Sequence, residues 1–294
     1  MTPITHAAPA GADTSLRPDD PDIRILRRVT PLDSFPLAPR GEGPIRRVCV
    51  LDTETTGTDC LTDEIIDIAI VMLEVDKAGE IVGIASKGEA LRDPGMPIPA
   101  AITRLTGIGD ADVAGKTINL DRLERRLMSA DVMLAHNARF DIAFVEALLP
   151  GIAGAAWACS ASDFTWSEAG FDGAKLGHLL MQAGRFNTAH RAMADVVSLV
   201  HVLAHRLPHG RTVLGELLDR AARPTIRLEA TGAPFDRRGL LKARGYRWDA
   251  RAKVWWIEID AADLDEEAAW LRRDVNQWGP PPSMQEVTWH QRHR

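Results

Sequence analysis

The sequence predicts an α/β protein with a mixed sheet flanked by helices, followed by a small C-terminal α+β module. Three apolar runs rich in β-branched residues, 48–52, 65–73 and 81–91, predict strands, and their short connections favour an antiparallel meander. Helical segments then alternate with further short strands, which is typical of helices layered on a mixed sheet. After Arg223 and Pro224 the composition becomes basic and aromatic, which indicates a separate module.

The later elements of the main domain follow from apolar spacing and chain breaks. Short apolar runs predict strands at 132–135 and near 155–159. Helical spacing, ended at proline and glycine, predicts four helices. These helices are 120–128, 139–149, 176–183 and 192–207.

Bulk properties narrow the functional classes. Of 294 residues, 45% are hydrophobic and 26% charged, as in ordinary globular proteins. No apolar run approaches the ~18 residues of a membrane span, and the N-terminus lacks a secretory pattern. Three scattered cysteines have no disulfide-framework or zinc-site spacing. We therefore expect a cytoplasmic protein without a membrane partner; the net charge of −6 argues against coating nucleic acid over the whole surface.

Composition divides the chain into four segments. Residues 1–44, rich in Pro, Ala, Asp and Gly, predict a mostly disordered arm, in which 23–29 either packs on the main body or stays solvated. Residues 45–210 hold the main domain. Residues 211–278 hold a helical connector and the basic, aromatic module. The Pro-rich segment 279–294 is predicted to be a flexible tail.

Two acids one residue apart end the first strand. Side chains alternate across a strand, so Asp52 and Glu54 point to the same face. Two carboxylates this close repel each other, and a divalent cation, which prefers oxygen ligands, would make the pair favourable. An acidic turn after a strand is the alternative.

Two more acids lie on apolar helix faces. Asp141 is on the apolar stripe of helix 139–149, and Asp195 is at the edge of the buried face of helix 192–207. Buried charges need a partner or a metal, so a salt bridge from Arg139 or Arg191 is the alternative for Asp141.

His190 can lie over the acidic site only if it is on the loop before the last long helix. If both residues were on one helix, their separation of five positions would turn the side chain of His190 well away from that of Asp195. Four carboxylates on three elements with one group that titrates near neutral pH suit two-metal phosphodiester hydrolysis. In that chemistry His190 takes the proton from the attacking water.

Three motifs resemble those of the DEDDh branch of the 3′→5′ exonucleases, a family that includes the proofreading epsilon subunit of bacterial DNA polymerase III. The motifs are the six residues 52–57 (DTETTG), the six residues 136–141 (HNARFD) and the six residues 190–195 (HRAMAD). The resemblance covers about 46–207. It implies an RNase H-like fold and two Mg²⁺ or Mn²⁺ ions.

The resemblance also implies a role for each motif residue. Asp52, Glu54 and Asp195 would bind the first ion. Asp52 would bridge to the second ion, with Asp141 assisting, and His190 would be the general base. These five groups form the expected catalytic set.

Contacts to the terminal nucleotide are also implied. They are expected from Thr55, Leu105 and Thr106, the last two within a further family element at 105–108 (LTGI). Asn137 either orients the substrate backbone or caps the following helix.

The C-terminal module carries arginines and lysines among aromatic residues. Residues 223–256 contain nine basic residues against three acids, with Phe235, Tyr246, Trp248, Trp255 and Trp256 between them. Such a pattern suits base stacking and phosphate contact. The alternative is that the tryptophans form a small core and the arginines are solvated; of Trp255 and Trp256, one is expected to face inward and one outward.

The expected function is a metal-dependent 3′→5′ exonuclease that releases nucleoside monophosphates from single-stranded or frayed DNA. An exoribonuclease that trims RNA 3′ ends is an alternative, since the choice depends on how the site treats the 2′-OH. Two further alternatives are a non-catalytic nucleic-acid-binding module and a polymerase-associated proofreading subunit. None of the five catalytic positions is lost, and the basic module lies where a polymerase-binding tail would be.

Overall fold

The computed structural model describes residues 23–294 and is built around a five-stranded mixed sheet. The strands in the described chain are β1 (Arg27–Arg28), β2 (Arg46–Thr55), β3 (Ile65–Val75), β4 (Ile81–Leu91), β5 (Val132–Ala135), β6 (Trp157–Cys159), β7 (Arg185–Phe186), β8 (Thr225–Glu229), β9 (Arg247–Asp249), β10 (Val254–Ile259) and β11 (Ser283–Val287). The central sheet has the order β4-β3-β2-β5-β6. β3 runs antiparallel to β2 and β4, whereas β2, β5 and β6 are parallel. The predicted antiparallel meander and the predicted mixed sheet are confirmed.

Helices cover both faces of this sheet. They are α1 (Ala100–Thr106), α2 (Asp110–Val113), α3 (Leu120–Leu127), α4 (Ala138–Leu148), α5 (Leu176–Gln182), α6 (Ala192–Leu203), α7 (Val213–Ala222), α8 (Arg238–Ala243) and α9 (Leu264–Trp270). Short 3-10 turns lie at Leu32–Ser34, Pro150–Ile152, Phe235–Arg237 and Ala261–Asp263, and a π turn at Leu271–Val275. No helix within residues 23–294 combines the length and the apolar character needed to cross a membrane.

Strand β2 is buried on both sides, because apolar residues occupy both of its faces. Val48 and Val50 pack in one core with α5, α6 and α7. Cys49 and Leu51 pack in a second core with α3 and α4. The acids at the end of β2 therefore emerge between two packed layers, where little water can solvate them.

The expectation of a mostly disordered arm is corrected for residues 23–44. β1 pairs in parallel with β7, and Val29, Leu32 and Phe35 are buried against α6. The ring of His201 in α6 lies with Nε2 2.8 Å from the carbonyl oxygen of Thr30. Apolar residues spaced through a polar segment supply enough buried surface to dock it. Residues 1–22, on which the rest of the expectation falls, lie outside the described residues.

The C-terminal module is a four-stranded antiparallel sheet of order β11-β8-β10-β9. Helices α8 and α9 cover one face, around a core that includes Leu228, Leu241 and Tyr246. Trp255 packs against this core, whereas its neighbour Trp256 alternates to the opposite face. The expectation that one of the two tryptophans faces inward and one outward is met.

The prediction of a flexible tail at 279–294 is wrong. Ser283–Val287 form the edge strand β11, paired in register with β8. The Trp289 carbonyl accepts a hydrogen bond from the Trp157 amide, and His293 Nε2 lies 2.9 Å from an Asp163 carboxylate oxygen. The segment therefore ties the module to the main domain. Proline at its start suggested disorder, but its pairing partners are distant in the sequence.

Candidate active site

Strand β2 presents Asp52 and Glu54 together on one face. Both are half-buried, and the residues between and beside them alternate to the other face. Glu54 lies directly opposite Asp67 of β3 in the strand register. The sheet therefore fixes three carboxyl groups at one end of β2.

Helix α4 brings Asp141 to the same end of the sheet. Asp141 is 2% exposed, and its Oδ1 accepts a hydrogen bond from the Thr53 hydroxyl at 2.8 Å. No residue within 23–294 forms an ion pair with Asp141, so the salt-bridge alternative for this residue is wrong. Arg191, one of the two candidates, contacts Asp67 instead.

The loop before α6 carries His190, as its spacing from Asp195 required. His190 is exposed and has a φ of 62°, a conformation uncommon for a non-glycine residue. Its backbone amide donates to Asp195 Oδ2 at 2.8 Å. This bond within the first turn of α6 holds the imidazole beside the carboxylate.

Three of the five expected catalytic groups meet closely. One ligand atom each from Glu54, His190 and Asp195 can be chosen so that all lie within 4.8 Å of one another. Asp52 and Asp141 are not part of that triplet. They are nevertheless close enough to the acidic groups to interact by charge, because Asp141 and Asp195 both act on the ionisation of Asp52.

Burial raises the pKa values of all four carboxyl groups, and repulsion by neighbouring carboxylates adds to the effect at Asp52 and Glu54. Burial, then the charges of Asp141, Asp195 and Glu54, raise the pKa of Asp52 well above its usual range. Burial raises the pKa of Glu54 to about 7, with Asp195 adding to the effect. The pKa of Asp141 rises to about 7 through burial against the opposing hydrogen bond from Thr53. Burial raises the pKa of Asp195 as well.

The positive charge available near these groups is small. Arg191 lowers the pKa of Glu54 slightly, but its Nε lies 3.3 Å from Asp67 Oδ2. The described residues thus leave four carboxyl groups with an excess of negative charge. Ionisation of four carboxyl groups this close together becomes favourable at neutral pH when a cation binds them.

Asp67 is a site-neighbouring residue that sequence reasoning missed. It is 1% exposed and accepts hydrogen bonds from the Arg191 side chain and the Ala192 amide, at the start of α6. The only signal in the sequence was an acid inside the apolar run 65–73. Its meaning depends on the β2–β3 register, which sequence spacing alone does not give.

The four expected substrate contacts fall into two classes. The buried hydroxyls of Thr55 and Thr106 donate to carbonyls of their own turns, those of Gly57 and Ile102. Leu105 and Asn137 instead have exposed side chains.

Asn137 does not cap α4. It precedes the helix with a φ of 75°, and its side chain makes no capping hydrogen bond. The capping alternative is therefore wrong.

Comparison with known proteins identifies the same region of the chain. A family model described as RNase_T, exonuclease, matches residues 49–203, more than half of the sequence. The DNA polymerase III PolC-type of Listeria welshimeri serovar 6b is 41% identical over 101 residues, and that of Bacillus subtilis (strain 168) is 39% identical over 99 residues. Each match covers 33% of this chain but 6% of the relative, so the chain spans a small part of these relatives.

Solved exonuclease structures are also similar to the chain. Exonuclease X in complex with 5′ overhanging duplex DNA is 19% identical, with a TM-score of 0.40, and the match covers 57% of this chain and 99% of that one. Exonuclease I from Methylocaldum szegediense is 16% identical, with a TM-score of 0.48, over 62% of this chain and 47% of that one.

Proposed function

The chain belongs to the exonuclease family that the RNase_T model describes, and from this premise we propose that it is a metal-dependent 3′→5′ exonuclease. Its substrate would be single-stranded or frayed DNA, and its products nucleoside monophosphates. The observation that carries the proposal is the meeting of Glu54, His190 and Asp195, with Asp52 and Asp141 buried beside them.

The donor set fits hard divalent cations. Carboxylate oxygens are the preferred ligands of Mg²⁺ and suit Mn²⁺ equally. The raised pKa values show that burial and neighbouring acids disfavour the ionised carboxylates, and a bound cation would offset this cost. Asp52, Glu54 and Asp195 would hold the first ion, and Asp52 with Asp141 the second. When bound, two such ions stabilise the attacking and leaving oxygens of an in-line displacement.

His190 is proposed as the general base. Its ring is exposed on a loop at the edge of the carboxyl group cluster, where a substrate and a water molecule can reach it. A neutral imidazole can accept a proton from an attacking water molecule. The close approach of its ring to Glu54 and Asp195 also fits a ligand role, so the two roles need separate measurements.

DNA is the proposed substrate because the PolC-type relatives are DNA polymerases. An association with a polymerase remains a second proposal on the same ground. The exoribonuclease alternative differs only in how the site accepts a 2′-OH. A non-catalytic binding role is disfavoured, because all five catalytic groups are present in the chain.

The test is a time course on matched 5′-labelled DNA and RNA 20-mers with Mg²⁺ and with a chelator. We expect DNA products that shorten one nucleotide at a time from the 3′ end, only with metal. Asp52→Asn should abolish this release, whereas the exposed Asp121→Asn should leave it unchanged. Release from the 5′ end, or equal release in chelator, would contradict the proposal. If RNA were shortened faster than DNA, RNA would be the substrate instead.

A further inference from the structure

A cleft of about 1540 Å³ lies between the main domain and the C-terminal module. Asn137, Arg139 and Ser162 line it from the main domain, and Arg247 and Trp256 line it from the module. We call this space the interdomain cleft.

The interdomain cleft opens on the same edge of the central sheet as the acidic site. β2, β5 and β6 are parallel and adjacent, so their C-terminal ends meet at one edge. Asp52 and Glu54 lie at that end of β2, Asn137 follows β5, and Ser162 follows β6. Adjacent strands are ~4.8 Å apart, and Asn137 and Ser162 follow the first and second strands beyond β2, so the cleft lies beside the acidic site.

Three arginines give the interdomain cleft its free positive charge. Arg139, Arg223 and Arg247 line it, are exposed, and have no acidic partner among residues 23–294. Exposed guanidinium groups without partners are suited to phosphate oxygens, which they contact in a planar, bidentate way.

Most of the acids that line the interdomain cleft already have a basic partner. Three of them form ion pairs with arginines: Glu168 with Arg220, Asp249 with Arg227 and Glu258 with Arg292. A fourth, Asp163, has a carboxylate oxygen 2.9 Å from His293 Nε2. The other two, Asp260 and Asp263, follow the end of β10, at the 3-10 turn. The charge left over along the rest of the wall is therefore positive.

An aromatic ring lies among these charges. Trp256 is on the outer face of the module sheet, opposite the module core, with the guanidinium carbons of Arg227 and Arg247 at 4.3 Å and 5.7 Å from its ring centroid. Aromatic rings combined with arginines are the usual means of holding single strands without sequence preference.

We propose that the interdomain cleft binds the single-stranded DNA that leads to the acidic site, through phosphate contacts from Arg139, Arg223 and Arg247. The inference rests on the proposed function, because it assumes a strand whose end lies at Asp52 and Glu54. The cleft would then hold the nucleotides that precede the terminal one. Affinity would grow with strand length, since only a strand longer than the site reaches the cleft.

The test compares two double variants that remove the same charge. Arg223→Ala with Arg247→Ala removes two cleft arginines, and Lys242→Ala with Arg251→Ala removes two exposed, unpartnered basic residues outside the cleft. Binding of a fluorescent single-stranded DNA 20-mer and of a trinucleotide is measured by anisotropy in chelator, across a salt series. Working in chelator separates binding from hydrolysis.

We expect the cleft variant to bind the 20-mer about tenfold more weakly, and the control variant to stay within twofold of the wild type. The slope of log affinity against log salt concentration should be shallower by about 1.4 in the cleft variant. This is about 0.7 for each of the two lost phosphate contacts. Trinucleotide binding should change less than 20-mer binding. Equal losses in the two variants, or a wild type that does not bind the 20-mer, would overturn the inference.

This design separates the two proposals. A protein that shows cleft-dependent binding but releases no nucleotides with Mg²⁺ would contradict the proposed function and leave the cleft assignment standing. A protein that digests DNA while both double variants bind the 20-mer equally would contradict the cleft assignment and leave the proposed function standing.

Discussion

At the scale of residues, the central feature is a set of carboxyl groups that repel one another. Glu54 and Asp141 each have a pKa raised to about 7, mainly by burial. Below these values the folded protein holds protons that the unfolded chain releases near pH 4 to 5. Folding free energy from these groups is therefore lost as pH rises from about 4.5 to about 7.

The first prediction concerns this loss. In chelator, the free energy of unfolding should fall between pH 5 and pH 8. At pH 8, Mg²⁺ at a hundred times its Kd should add about 2.7 kcal/mol to the free energy of unfolding. At pH 5 the addition should be much smaller, because protons compete with the ion for the carboxylates. Denaturant unfolding at both pH values, with and without Mg²⁺, measures the effect. Glu54→Gln is the control and should reduce both the pH dependence and the Mg²⁺ effect; a Mg²⁺ effect equal at both pH values would oppose this account.

The second prediction separates the two roles of His190. His190→Ala should slow nucleotide release by about 10²–10⁴-fold if the imidazole is the general base, with Mg²⁺ stabilisation nearly intact. Single-turnover rates and Mg²⁺-dependent unfolding give the two readouts. His209→Ala, an exposed histidine beyond the end of α6, is the control. Loss of the Mg²⁺ stabilisation in His190→Ala would make the residue a ligand.

At the scale of elements, Asp67 connects strand β3 to the start of α6. It accepts bonds from the Arg191 side chain and the Ala192 amide, directly after His190. Because α6 carries Asp195 and its preceding loop carries His190, the position of both depends on this junction. Asp67 is thus a positioning residue for the site.

The third prediction follows from that junction. Asp67→Asn keeps an acceptor but removes the charge that holds Arg191, so we expect kcat to fall about ten- to hundredfold with KM nearly unchanged. Thermal unfolding shows whether the fold persists. Arg191→Lys, which keeps a cation but not the guanidinium geometry, should give a smaller loss. A KM rise at constant kcat would place Asp67 in substrate binding instead.

Elements whose partners are near in the sequence could be predicted, and the others could not. The β2–β3–β4 meander, the Asp52 and Glu54 face, and the loop position of His190 follow from periodicity and spacing. The Asp67 contact and the β11 strand depend on register with residues many positions away. The docking of 23–44 likewise depends on contacts with β7 and α6, which lie more than a hundred residues further along the chain.

At the scale of the whole molecule, the last residues join the two sheets. Arg292 is nearly buried and pairs with Glu258 of β10 at 2.7 Å, while its guanidinium also donates to the carbonyls of Ala221 and Arg223. These contacts link the end of α7, the module sheet and the C-terminal segment. They therefore hold one side of the interdomain cleft.

The fourth prediction tests this connection. Arg292→Ala should lower the free energy of unfolding by about 2–4 kcal/mol, since it removes the cationic partner of Glu258 and the side-chain donor to two carbonyls. Denaturant unfolding measures the change, with the exposed Arg272→Ala as the control, expected within about 0.5 kcal/mol. If the two variants were equally stable, the C-terminal segment would not hold the module in place.

The most direct test of the whole account is the anomalous density of crystals soaked in Mn²⁺. We expect two peaks within coordinating distance of the carboxyl oxygens of Asp52, Glu54, Asp141 and Asp195, with the His190 ring beside them but unbound. The absence of any peak among these groups, or peaks elsewhere only, would contradict the claim that this acidic site holds the metal ions of a nuclease.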